Sequence, residues 1–230
     1  MNRPLARIAA LAAAGALSAH GASLLTLTNP VADGAINTAA GNNDRSDWAS
    51  TTPFTADPDE AITVDYSSIT VAHDSTSFHL RQQLFRNDTA GGWLSNSQKL
   101  ILDTDQARTT GYLGPDGNFA VGGEYMLEGA TLYLYTGTGT DWSWTWLGAV
   151  TSYDDWPVLD HEMSLSRAAI GDPVSFDFIA ITDFWTGDNY PDGARGGTTG
   201  DCFTYTTVPE PAAAALAALA LLTAGRRRRR

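Results

Sequence analysis

Apolar and polar residues alternate with a period of two in short runs along most of the chain. Ile69, Val71 and His73 alternate with Thr70 and Ala72, and Phe78, Leu80, Gln82 and Leu84 with His79, Arg81 and Gln83. Leu132 and Leu134 alternate with Tyr133 and Tyr135, and Val174, Phe176 and Phe178 with Ser175 and Asp177. Successive side chains on a strand point to opposite faces, so this period describes strands buried on one side. Leu24 to Thr28, the continuous apolar run Leu100-Ile101-Leu102, and Cys202 to Tyr205 read as further strands. β-Branched and aromatic residues fit such half-buried surfaces. Between the runs lie clusters of Gly, Asn, Asp and Thr, such as Gly114-Pro115-Asp116-Gly117 and Gly137-Thr138-Gly139-Thr140. These residues accept positive φ or form local side-chain turns. One helical pattern stands out, Ser164 to Ile170, with Ser164 or Ser166 as its cap and Gly171 closing it. No repeat or linker divides the chain. The pattern predicts an all-β domain, an antiparallel β-sandwich of jelly-roll type, over residues 22–207.

The two ends break this pattern. Arg3 and Arg7 precede an apolar stretch, Ile8 to Leu17, and Ala19 and Gly21 stand at the −3 and −1 places of a small-residue cleavage site. Residues 1–21 thus read as a signal peptide cut before Ala22. At the other end Pro209-Glu210-Pro211 leads into the apolar run Ala212 to Gly225 and five arginines, Arg226 to Arg230. The run is short for a spanning helix. Arginine stems reaching to the interface extend it, and their charge places the body outside the cytoplasm. Residues 208–230 resemble the PEP-CTERM sorting signal of Gram-negative bacteria. That resemblance implies a short transmembrane helix held transiently in the inner membrane. It also implies reading of Pro209, Glu210 and Pro211 by an exosortase-type protease, and release to the cell surface or extracellular matrix.

Charge sharpens the picture. Residues 22–207 hold seven Lys and Arg against 25 Asp and Glu, a net charge of −18. Such a surface repels nucleic acid and anionic lipid, and it suits divalent cations. Cys202 is the single cysteine, so the domain has no internal disulfide, and its strand context points to a buried thiol.

Two groups of residues carry candidate chemistry. Asp103 and Asp105 leave an apolar strand two residues apart, just before a Thr-Thr-Gly turn. Paired carboxylates at a loop start either hold a hard cation such as calcium or simply begin a solvated turn. Trp142, Trp144 and Trp146 alternate with Ser143 and Thr145, so on a strand all three indoles share one face. An exposed indole stripe docks the apolar face of a sugar, whereas a buried one is core. Trp93, in Gly91-Gly92-Trp93-Leu94, stands in a loop context and joins the sugar-binding candidates, while Trp48, Trp156 and Trp185 read as core. No Gly-x-Ser-x-Gly elbow, His-Glu-x-x-His helix or phosphate loop is present. His161-Glu162 lacks a second histidine, and His73 and His79 flank one turn in strand contexts that suggest packing or exposure.

The order of motifs carries a second resemblance. Asp33-Gly34-Ala35-Ile36 and Asp47-Trp48 precede Asp65-Tyr66, Ile69 to Asp74 and Phe78-His79-Leu80-Arg81. Leu102 to Asp105, Thr110-Gly111-Tyr112, Gly122 to Glu128 and Asp188 to Gly193 follow. This order resembles sandwich domains of the ninth family of carbohydrate-binding modules and DOMON-like domains. It implies a sugar-binding or adhesion module with structural calcium, and Glu124 as a third ligand beside Asp103 and Asp105. The sequence thus leads to an exported, non-catalytic protein that binds extracellular polysaccharide. A matrix component without a specific ligand and a glycan hydrolase are the alternatives.

Overall fold

The computed structural model describes residues 22–27, 48, 51–55, 64–87, 98–155, 160–182, 188–196 and 200–208. The expected signal peptide, Trp93, Trp156, Trp185, Pro209-Glu210-Pro211 and the apolar tail lie outside these residues. Among the described residues no helix is long and apolar enough to cross a membrane.

The fold is all-β and built as two sheets. The larger sheet has the order β1 (Ala22–Leu27), β12 (Asp201–Thr206), β10 (Ser175–Ile181), β4 (Lys99–Asp103), β5 (Tyr125–Glu128), β6 (Thr131–Tyr135) and β7 (Trp144–Ala149). A two-residue strand, β11 (Asn189–Tyr190), attaches to β10. The smaller sheet has the order β2 (Val64–His73), β3 (Ser77–Asn87), β9 (Asp160–Ser166) and β8 (Thr151–Asp155). Every pairing is antiparallel except that of β1 with β12, which is parallel, so the larger sheet is mixed at that edge. The predicted helix at Ser164 is corrected: β9 runs through Ser166, and only Arg167–Ile170 form a short 3-10 turn. Ser164 and Leu165 continue the strand alternation that pairs them with His79 and Phe78, and tertiary pairing outweighs the weak local helical pattern. Ser166 does precede the turn, and Gly171 closes it at φ 82°, a conformation that favours glycine.

Alternation assigns each residue to a layer. Leu100, Leu102, Leu127, Leu132, Phe176, Phe178 and Phe203 face the smaller sheet, where they meet Ile69, Val71, Phe78, Leu80, Met163 and Leu165 in the main core. Phe54 closes one side of it, 5.1 Å from both Phe178 and Phe203. The alternate residues of the larger sheet, Ile101, Met126, Ile179, Ile181 and Cys202, face outward yet are buried too. They are covered by the long β4–β5 connection, residues 104–124, which lays Tyr112, Phe119, Ala120 and Val121 over them. A second apolar layer therefore sits on the outside of the sandwich, and the functional candidates stand at its margins.

Candidate functional site

The covering loop leaves the sheet at Asp103 and returns at Glu124. Its first turn brings Asp103, Asp105 and Glu124 together, with one carboxylate oxygen of each within 4.8 Å of the others. Asp103 is fully buried and Asp105 is exposed, so the group opens to solvent on one side only. Backbone amides hold it: Ala107 donates to Asp103 Oδ1 at 3.1 Å and to Asp105 Oδ1 at 2.8 Å. Gly122 donates to Asp103 Oδ2 at 3.0 Å and Thr104 to Glu124 Oε2 at 2.8 Å. Gly122 is required here for space, since a Cβ would fall 2.1 Å from the Thr110 carbonyl oxygen and 2.9 Å from that of Ala107.

Acceptors outnumber donors at this place. The Thr110 hydroxyl has one proton and four acceptors within reach: Asp105 Oδ2 at 3.0 Å, Asp105 Oδ1 at 3.1 Å, Glu124 Oε1 at 3.3 Å and the Ala107 carbonyl at 2.7 Å. No Lys or Arg among the described residues pairs with any of the three carboxylates. Two unit charges at such a separation repel by roughly 3 kcal/mol at an effective dielectric of about 20. Burial accordingly pushes the Asp103 carboxyl up to about 8, and the charges of Glu124, Asp105 and Asp177 add to the effect against the Gly122 amide. Glu124 is raised as well, by burial first and then by Asp105, against the Thr104 amide.

A fourth carboxylate stands behind the cluster. Asp177, on β10, is the direct cross-strand partner of Asp103 and shares its face. It is 1 % exposed. Its Oδ1 accepts from Thr204 at 2.6 Å and from Gln106 at 3.0 Å, while Oδ2 has no N–H or O–H donor. The buried Cys202 thiol, pushed up by burial and by Asp177, is a weak donor beside it. The hard, oxygen-only donor set of Asp103, Asp105 and Glu124 fits a calcium-type cation, which takes 6–8 oxygens from carboxylates, carbonyls and water.

The tryptophan stripe divides. Trp144 and Trp146 lie on β7 opposite Tyr135 and Tyr133, on the outer face of the larger sheet, and Trp142 precedes the strand. Trp142 is 52 % exposed and Trp146 65 %, whereas Trp144 packs against the outer apolar layer. Tyr112 of the covering loop backs them, its ring 5.5 Å from Trp142 and 5.4 Å from Trp144 in edge-on contacts. Tyr135 closes the group 5.0 Å from Trp144. Trp142 is thus presented on a buried aromatic support, and Trp146 stands further along the strand opposite half-buried Tyr133. Tyr112 is the member that sequence reasoning passed over; its place two residues after Thr110 was the available signal.

One arrangement elsewhere has the order of a nucleophile, base and orienter. Ser164 Oγ lies 2.7 Å from His79 Nδ1, and His79 Nε2 lies 3.1 Å from Asp74 Oδ2. Asp74 Oδ1 is already taken by the Thr76 and Ser77 amides, the pattern of a locked strand turn. Comparison of the chain with protein-family models and with curated proteins returns no match.

Proposed function

We propose that the protein is exported and held at the cell surface or in the extracellular matrix, where it binds polysaccharide without catalysing a reaction. The sugar docks on the ledge formed by Trp142 and Trp146, and calcium at Asp103, Asp105 and Glu124 serves as a structural ion. The observation that carries this reading is the exposure of two large indoles, Trp142 against buried Tyr112 and Trp146 opposite half-buried Tyr133. Neighbouring exposed aromatics mark an interaction surface, and an indole offers the flat apolar face and single N–H that a pyranose ring complements. A net charge of −18 over residues 22–207 favours a neutral glycan over a polyanion.

Both chain ends support the address. The signal-like residues 1–21, Pro209-Glu210-Pro211, the apolar run and the terminal arginines fit export followed by processing by an exosortase-type protease. The test is retention on a panel of extracellular polysaccharides in calcium, with the Trp142→Ala/Trp146→Ala double variant alongside. Retention by the parent chain and its loss in the variant are expected. Failure to bind any polysaccharide, with or without calcium, would overturn the reading and leave a purely structural matrix role. Intact chain in the cytosol with both ends uncut would overturn the address.

A further inference from the structure

We propose that the open edge of β7 pairs with the same edge of a second copy of this chain, and that the pair joins two tryptophan ledges into one. The pairing stands on the strand alone; its use in sugar binding rests on reading the exposed indoles as a docking surface. β7 ends the larger sheet, and among the described residues nothing pairs with its outer side. Such an edge offers unpaired N–H and C=O groups to an extended segment. Two edges of the smaller sheet are guarded. Phe54 exchanges backbone hydrogen bonds of 2.7 and 3.1 Å with Ile69 of β2, and β8 ends on Asp154 and Asp155. β7 carries neither charge nor proline, and its Trp146 and Leu147 are 65 % and 43 % exposed.

The backbone fixes how the copies meet. The Thr136 amide donates to the Ser143 carbonyl at 2.9 Å, and Thr145 faces Leu134 in the same phase, whereas the Tyr135 amide turns to Glu124 on the far side of β6. Alternation therefore directs the N–H and C=O of Trp144 and Trp146 to the open edge. A bulge at Leu147, where the pairing with β6 shifts between Leu132 and Tyr133, ends the regular stretch. The symmetric register that stays clear of the bulge centres on Thr145. Trp144 of each copy then exchanges both backbone hydrogen bonds with Trp146 of the other, and Thr145 faces Thr145. The two-fold axis is normal to the sheet, so both outer faces lie on one side and the indoles of the two copies become cross-strand neighbours. Charge selects the occupant. Residues 142–153 hold no acid or base, while residues 22–207 carry a net charge of −18. Most approaches of two copies are repulsive, but at this edge Asp141 of one comes level with Ala149 of the other, and no acid meets an acid. A contact of one short strand is small beside stable interfaces, so the dimer is reversible, and salt that screens the acids favours it.

Sedimentation velocity of the full-length chain, with no glycan present, reads the pairing whether or not sugar docks. A monomer–dimer equilibrium that shifts towards dimer with concentration and with salt is expected. Thr145→Asp and Thr145→Lys each set like charges across the axis and should sediment as monomers. Mixed together they should recover a one-to-one dimer, because position 145 faces itself. Thr145 is exposed, so both variants should keep the far-UV circular dichroism of the parent chain. Should either misfold, amide exchange at Trp144 and Trp146 in the unaltered chain gives the same reading, slowing as concentration rises. On a polysaccharide that the parent chain binds, Thr145→Asp should weaken retention on the order of 100-fold, through loss of two-point attachment. A chain that stays monomeric at every concentration and salt would overturn the pairing, as would association that survives both variants or is not restored by mixing them. Loss of the dimer with unchanged retention would overturn the joined ledge while leaving the dimer standing.

Discussion

The outward faces of the two sheets treat carboxylates in opposite ways. On the smaller sheet the acids of β9 and the β2–β3 turn have cations or strong donors. Arg81 Nε holds both oxygens of buried Asp160 at 2.9 and 3.1 Å, Trp48 Nε1 donates to Glu162 at 3.0 Å, and His79 meets Asp74 at 3.1 Å. On the larger sheet Asp103, Asp105, Glu124 and Asp177 gather with amide, hydroxyl and thiol donors and no cation. Glu128, two strand positions past Met126 on the same outer face, does have Lys99 at 3.1 Å, so the lack of a cation is local to the covering loop. A satisfied acid is part of the scaffold. An unsatisfied group of acids is stored repulsion, released by a proton or by a metal ion.

The largest expected effect falls on the satisfied face. Arg81→Met leaves Asp160 buried without its counter-ion, and breaking a buried pair in this way costs about 3–5 kcal/mol. Chemical denaturation should show this loss with or without calcium. On the other face Asp103→Asn should cost less than Arg81→Met in chelator, since burial already holds the carboxyl largely protonated at neutral pH and Asn keeps one of its two amide bonds, and it should destabilise relative to the parent chain in calcium. If Asp103→Asn costs as much as Arg81→Met in chelator, the two faces do not differ. Calcium at a hundredfold excess over its Kd should stabilise the parent chain by about 2.7 kcal/mol, or roughly 5–10 °C in Tm for a domain of this size. Asp105→Asn should abolish that rise.

What could be read before the structure follows the same division. Period-two alternation located β2, β3, β6 and β10, because a strand with one buried face prints its environment in its sequence. It failed at β9, where His161 and Glu162 are buried beside Asp160 and mask the alternation, so that only Ser164 onward drew notice as a helix. It also missed β5, whose four residues are too few to show a period. Asp103 and Asp105 were legible from their spacing, but Glu124 lies 19 residues beyond Asp105 and entered through a family resemblance, since a loop closure leaves no local trace. Asp177 was read as one polar position in a strand. Its role depends on pairing with β4, which the chain does not encode nearby.

Acidity separates the faces by sign. Burial raises the Asp74 carboxyl, but the Thr76 amide, the His79 ring, the Thr76 hydroxyl and the Ser77 amide together bring it down to about 2. A carboxyl lowered on folding stabilises the protein above its unfolded value, and that stability is lost as pH falls from about 4 towards 2. Asp103, pushed up to about 8, works in reverse: its protonated form favours folding at low pH, and stability declines as pH rises from about 4 through 8 in chelator. Calcium competes with that proton and should flatten the upper slope while leaving the acid limb untouched. Thermal melts across pH with chelator and with calcium would measure both limbs. An upper limb indifferent to calcium would mean that the proton on Asp103 is not what the metal displaces.

The smallest stability effect should come from Trp146. Its side chain is 65 % exposed, and exposed positions without special contacts move stability by about 0.5 kcal/mol or less. Trp144, opposite Tyr135 and 5.7 Å from Trp142, packs on the outer apolar layer, so Trp144→Ala should cost distinctly more. Binding should reverse that order. If the ledge docks sugar, Trp146→Ala removes contact area directly and should weaken polysaccharide binding by about 2 kcal/mol, roughly 30-fold, as for a central aromatic contact. A residue that contributes little to folding and much to binding marks a surface kept for a partner. Affinity electrophoresis of the folded Trp146→Ala chain separates the two quantities, and unchanged mobility in every polysaccharide gel would return Trp146 to the ordinary apolar surface.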